Sequence, residues 1–102
     1  MANLVLVDDY VLLRKGRAGL ISAFGETVLF EADNGEDFIA QLDPQSLPEL
    51  VLMDINMTVP DCDDTCLRLK INYPSVKVLA LSMYDGEKAI IRMLQWFYLK
   101  RF

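Results

Sequence analysis

The sequence predicts an α/β domain: a doubly wound parallel sheet of five strands, open at its edges and covered by helices on both faces. Three observations lead there. Short, nearly unbroken apolar runs alternate with stretches whose apolar residues recur at helical spacing. Those runs lack the in–out alternation of a half-exposed strand, so each is buried on both sides, as strands are between two helix layers. The length, 102 residues, suits one domain, and right-handed crossovers turn the alternation into an open, doubly wound sheet.

The elements follow in order. Asn3–Val7 is an apolar run closed by Asp8 and Asp9 and reads as the first strand. Leu13, Gly16, Leu20 and Phe24 then recur at helical spacing with Arg14, Lys15 and Arg17 between them, which predicts an amphipathic helix with those four inward and Gly25 as its stop. Thr27–Ala32 is the second strand, and Asp33-Asn34-Gly35 a turn that caps the helix Glu36–Leu42. A loop with two prolines over Asp43–Glu49 leads to the third strand, Leu50–Asp54. After the loop Asn56–Pro60, a helix over Asp61–Asn72 is stopped by Tyr73-Pro74. Val76–Leu81 is the fourth strand, ending at Ser82. Glu87–Gln95 is a helix with Ala89, Ile90, Met93 and Leu94 inward, and Trp96–Lys100 is the expected fifth strand.

Composition narrows the function classes. A hydrophobic fraction of 53% supports a packed core. A net charge of −5 argues against nucleic-acid binding by this chain, because phosphate contacts need a basic surface. There is no histidine, so acid–base or metal chemistry falls to carboxylates, hydroxyls, lysine or thiols. Cys62 and Cys66 share a helix face without further soft ligands and read as reduced, partly buried side chains. No apolar run is long enough to span a membrane and the N-terminus lacks a signal-peptide pattern, so the expected compartment is the cytoplasm.

In an open α/β sheet, sites form at the carboxyl ends of the strands, near the point where strand order reverses. Asp8 and Asp9 follow the first strand and Asp54 ends the third. In a flavodoxin-like order, 2-1-3-4-5, those strands are neighbours and the three carboxylates converge. A lone aspartate at a strand end is ordinarily a helix cap or a turn residue, but three at one sheet edge, with Ser82 after the next strand, ask for another account. Three negative charges so close raise one another's pKa unless a cation joins them, and an all-oxygen set suits Mg²⁺.

Three segments carry a resemblance: Leu4-Val5-Leu6-Val7-Asp8-Asp9, Val51-Leu52-Met53-Asp54-Ile55-Asn56-Met57 and Leu79-Ala80-Leu81-Ser82. Together they resemble the signature segments of the response-regulator receiver domains of two-component phosphorelays, whose fold is the CheY-like form of the flavodoxin order. Glu31-Ala32-Asp33-Asn34-Gly35 and Ala80-Leu81-Ser82-Met83-Tyr84-Asp85 are similar to the NarL/FixJ (LuxR-type) subfamily in particular.

The resemblance implies a role for each matching residue. Asp54 is the phosphoacceptor. Asp9 binds Mg²⁺ directly, Asp8 mainly through water, and the backbone carbonyl of Asn56 completes the protein's ligands alongside Asp54. Ser82 bonds the phosphoryl oxygen and acts as a switch together with the aromatic position Phe97, and Lys100 pairs with the phosphoryl group. The donor is a sensor histidine kinase or a phosphotransfer protein, and the product switches a partner or output domain in transcription regulation. The domain assists its own phosphorylation and dephosphorylation and is not otherwise an enzyme.

The pattern also departs from the family. Gln95 runs straight into Trp96, where the family has a small Gly/Ala loop, leaving the chain short by about four residues, close to one helical turn. Three accommodations are open: the last helical turn unwinds, the fifth strand swaps into a second copy to give a homodimer, or residues are absent from this sequence. The chain ends at Phe102, where the family has a fifth helix, so the expected domain is a receiver over 1–102 with its last helix missing. Two other functions stay in view. One is a receiver-like interaction module that has lost phosphorylation. The other is a phosphatase with an aspartyl-phosphate intermediate, disfavoured because Asn56 stands where that class wants a second aspartate.

Overall fold

The structure, a computed structural model, describes residues 3–54, 62–81 and 86–100, the side chains of 62, 63, 86, 87 and 96–100 excepted. The elements are β1 (Asn3–Val7), α1 (Val11–Ala23), β2 (Thr27–Ala32), α2 (Gly35–Gln41), β3 (Leu50–Asp54), α3 (Cys62–Asn72), β4 (Lys77–Leu81) and α4 (Gly86–Lys100). The strands form one parallel sheet in the order β2-β1-β3-β4. Strand order reverses between β1 and β3, which makes the crevice beyond their carboxyl ends the natural site of this sheet.

Leu4 to Val7 and Leu50 to Asp54 are all buried, because β1 and β3 are the two central strands. Their side chains divide by parity. Leu4, Leu6, Leu50 and Leu52 join Ile21 of α1, Leu81 of β4, and Ile90 and Leu94 of α4 on one face. Val5, Val7, Val51 and Met53 join Ala32, Phe38 of α2, Leu69 of α3 and Val76 on the other. Each fully buried aliphatic or aromatic side chain contributes roughly 1.5–3 kcal/mol, so the two layers hold the sheet from both sides.

The turns follow the chemistry of their residues. Gly25 takes φ +82°, a left-handed conformation that costs glycine least. Its N–H donates to the Ser22 carbonyl at 3.0 Å and the Glu26 N–H donates to the Ile21 carbonyl at 3.2 Å, a paired closure of α1. At the start of α2 the Asn34 side chain accepts from the Asp37 N–H at 2.8 Å, as the turn Asp33-Asn34-Gly35 predicts.

Two expectations are corrected. The inner face of α1 is Arg14, Arg17 and Ile21, whereas Gly16 is exposed and Phe24 is 39% exposed. Leu20 still packs against the core and Leu13 is half-buried, so the inward side of α1 is shared between apolar residues and two arginines that find buried acceptors. The fifth strand is also absent among the described residues: Trp96–Lys100 continues α4 as helix. Ile90 and Leu94 set a helical register, and neither glycine nor proline stands between Gln95 and Lys100 to break it. β-propensity in an aromatic run is a weaker signal than uninterrupted propagation. α4 packs beside α1 and, with it, covers the leucine face of the sheet.

Candidate metal centre

The β1–β3 register pairs Leu6 with Leu52 and Val7 with Met53, and one further step sets Asp8 level with Asp54. Oxygens of Asp8, Asp9 and Asp54 all lie within 4.8 Å of one another. Asp8 is 2% exposed and Asp54 7%, while Asp9 faces solvent. The set is open on one side and acidic at its floor. Oxygens on opposite sides of one Mg²⁺ are about 4.2 Å apart, twice the metal–oxygen distance. The 4.8 Å limit lies a little above that span, so the three carboxylates stand close enough to share a hard cation after a small shift or through water.

Asp8 is held on several sides. Its N–H donates to the Ala32 carbonyl at 3.0 Å, and its Oδ1 accepts from the Tyr10 N–H at 2.9 Å. Its Oδ2 faces the Arg17 guanidinium at 3.4 Å, an ion-pair separation longer than a well-made hydrogen bond. Burial pushes the Asp8 carboxyl above its ordinary range and the neighbouring Asp54 charge adds to the rise, while the Tyr10 N–H and Arg17 oppose it. The pocket is thus electrostatically strained toward holding a proton or a cation.

Arg14 builds the wall behind Asp8. Its Nη1 donates to the Asp8 carbonyl at 2.8 Å, to the Ala32 carbonyl at 3.2 Å and to Asp33 Oδ1 at 2.6 Å, and its Nε donates to Glu31 Oε1 at 2.9 Å. Burial works against its charge, but the bonds to Asp33 and Glu31 outweigh it and raise the guanidinium's pKa. One planar fork therefore ties the loop after β1 to the loop after β2.

The predicted triad of Asp8, Asp9 and Asp54 is brought together. Asn56 and Ser82 lie outside the described residues. Phe97 and Lys100 have helical backbone within α4, so they do not hold the strand positions that their expected roles presuppose; their side chains lie outside the described ones. Arg14 and Arg17 were missed by the sequence reading. The available signal was the stripe Arg14, Arg17, Ile21, spaced three and four residues apart on one side of α1.

The family model for the response regulator receiver domain matches residues 4–97. This chain belongs to that family. As a receiver domain it is 31% identical over 94 residues to the transcriptional regulatory protein DegU of Brevibacillus brevis, covering 91% of this chain and 39% of DegU. The receiver domain of the response regulator NarL from Mycobacterium tuberculosis superposes with a TM-score of 0.72 at 26% identity, over 92% of this chain and 76% of that one. The response regulator TrrA of Thermotoga maritima, solved in complex with Mg²⁺–BeF, superposes with a TM-score of 0.71 at 20% identity, over 87% of this chain and 76% of that one, and shows the shared fold. The subfamily resemblance to NarL-type regulators is borne out. The chain spans less than half the length of the curated relatives it matches. No helix among the described residues is long and apolar enough to cross a membrane.

Proposed function

We propose that this receiver domain accepts a phosphoryl group on Asp54 from a phosphohistidine of a sensor kinase or phosphotransfer protein, in a Mg²⁺-dependent step. The observation that carries the reading is the convergence of Asp8, Asp9 and Asp54 at the strand-order reversal of a receiver fold. Asp54 ends β3, and an ionised carboxylate is a competent nucleophile toward phosphorus. Its oxygen forms the new P–O bond as the P–N bond of the donor breaks, and the imidazole leaves with the electron pair. Asp8, Asp9 and Asp54 would hold the cation, joined by the Asn56 carbonyl. When bound, that cation would neutralise the charge gathered by the triad and the phosphoryl oxygens. Ser82 would donate its hydroxyl to the phosphoryl group. TrrA, which was solved with Mg²⁺–BeF, supports the choice of ion.

The likeness to DegU and NarL supports a cytoplasmic role in transcription regulation, with the output residing in a partner or a further domain. Neither turnover of a substrate nor direct nucleic-acid binding is assigned to this chain. One observation favours the interaction-module alternative. α4 has 15 residues and starts just beyond the acidic edge, which carries the backbone of Lys100 about 21 Å along the helix from Gly86.

Incubation with acetyl phosphate and Mg²⁺, followed by intact mass, tests the reading with Asp54→Asn as control. Gain of one phosphoryl group, dependent on Mg²⁺ and lost in the variant, is the expected result. No gain in a folded protein would reject phosphoacceptance and leave the interaction module.

A further inference from the structure

A guanidinium sits at the buried side of the acidic pocket. Arg17 is 6% exposed, on the same α1 stripe as Arg14 and Ile21, and its Nη1 lies 3.4 Å from Asp8 Oδ2. Arg14 bonds to the β1–α1 and β2–α2 junctions and points its charge at Glu31 and Asp33. Arg17 alone of the two faces the metal-candidate carboxylates through a side-chain oxygen. With Tyr10 N–H on Oδ1 and Arg17 on Oδ2, both oxygens of Asp8 already have a donor.

We infer that Arg17 is a resident counter-cation of this pocket, which holds Asp8 when no metal is present and competes with a divalent cation for Asp8 Oδ2. The inference rests on the metal-binding reading of the triad. Its physical basis is direct. A buried carboxylate pair needs positive charge nearby, and Arg17 supplies one without metal. A dication entering the same few ångströms meets a fixed like charge in surroundings that screen it poorly. Either the guanidinium withdraws from Oδ2, or the cation binds with Asp8 only through water. Both routes weaken metal affinity relative to a pocket with a neutral side chain at this position. The device sets a threshold: the site stays preformed and charge-balanced at low metal, and fills only when metal is abundant.

The test is a Mg²⁺ titration of wild type, Arg17→Met, Arg17→Gln and Asp9→Asn by calorimetry, with melting temperature recorded in chelator and in saturating Mg²⁺. The expected result is binding by wild type that Asp9→Asn abolishes, and a dissociation constant about tenfold or more lower in the Arg17 variants. Their melting temperature should fall in chelator and recover in Mg²⁺ by more than the wild type gains. Equal affinity in wild type and the Arg17 variants, with Asp9→Asn still abolishing binding, would overturn the inference and spare the metal site. Binding by none of the four proteins would reject the metal reading and the inference with it. Should both Arg17 variants fail to fold, the side-chain N–H resonance of Arg17 in the wild type decides. Protection from exchange without metal and its loss on adding Mg²⁺ supports competition; protection that Mg²⁺ leaves unchanged refutes it.

Discussion

The two faces of the sheet are built on different principles. The face under α2 and α3 is a largely apolar layer, with Val5, Val7, Val51, Met53 and Phe38 closed over by Leu69 and Val76 and no buried charge among its described residues. On the other face α1 contributes Ile21 to a leucine layer, but its next two inward positions toward the acidic edge are Arg14 and Arg17. The first face can be stable with no particular partner for any one side chain. The second depends on charges finding their acceptors, so its stability is tied to the site. A fold can therefore keep one face as scaffold and spend the other on holding a cluster of carboxylates.

Damage to the scaffold face should produce the largest effect. Phe38 is fully buried and stacks on Phe30 at a centroid distance of 6.0 Å. Phe38→Ala is expected to cost about 3–5 kcal/mol in urea denaturation, since the cavity adds to the lost transfer energy. A loss below about 1 kcal/mol would mean that this face relaxes freely and is no scaffold.

Arg14 probes the charged face. Arg14→Met takes a donor from the Asp8 and Ala32 carbonyls and from Glu31; the Ala32 carbonyl keeps the Asp8 N–H and Glu31 keeps Lys15, while Asp33, with a side chain 63% exposed, is rehydrated. Breaking a buried pair from one side costs about 3–5 kcal/mol; the exposed Asp33 end reduces the expectation to about 2–3 kcal/mol. Loss of the fork should also loosen Asp8, so the same variant is expected to weaken Mg²⁺ binding while Phe38→Ala, if folded, leaves it unchanged. Parallel losses of metal affinity in both variants would erase the distinction between the faces.

What the sequence disclosed divides along the same line. Strand bounds for β1, β2 and β3 are legible to the residue, because each is a mostly apolar run with a polar neighbour at its end, although only the central β1 and β3 are buried on both faces and the edge strand β2 is half-buried. The triad is legible for a related reason: each acid marks a strand end, and strand ends of a parallel sheet meet at one edge. The inner face of α1 was legible only in part, at Leu13 and Leu20. Periodicity scores arginine as outward, yet Arg14 and Arg17 are paid for by carbonyls and carboxylates of residues 8, 31, 32 and 33, which only the folded chain brings near. The end of α4 failed in the opposite sense. The missing Gly/Ala loop before Trp96 is visible in the sequence, which leaves open an unwound last turn, a swapped strand or absent residues; in the structure the helix, having no stop signal, continues through Lys100.

A pH series in chelator sharpens the role of the charged face. The folded-state pKa of Asp8 is raised above its ordinary 3.8, chiefly by burial and then by Asp54. Across the window upward from 3.8 to that raised value, the native state keeps a proton that the unfolded chain has released. Stability must then fall as pH rises through that window, by linkage, for the part Asp8 contributes. Asp8→Asn removes that part and keeps an acceptor for the Tyr10 N–H. Urea midpoints of the variant, plotted against pH, should show a slope shifted upward relative to wild type over the weakly acidic range. Coincident slopes would mean that Arg17 already offsets the burial of Asp8 in full.

The smallest effect separates a buried cation from an exposed one on the same acid. Glu31 accepts from Arg14 Nε at 2.9 Å and from Lys15 Nζ at 3.0 Å, with the Arg14 side chain 9% exposed and that of Lys15 62%. Distance alone would rank the two pairs as equals. Solvent decides otherwise: an exposed lysine loses rotamer freedom on pairing and its charge is screened, so such pairs are worth about 0.2–1 kcal/mol. Lys15→Ala is therefore expected to lower stability by no more than about 0.5 kcal/mol, an effect that shrinks further in high salt. A double-mutant cycle of each cation against Glu31→Gln isolates the two couplings, and the Arg14 coupling should exceed the Lys15 coupling severalfold. Equal couplings would show that burial adds nothing at Glu31 and that the charged face is held by its backbone carbonyl contacts alone.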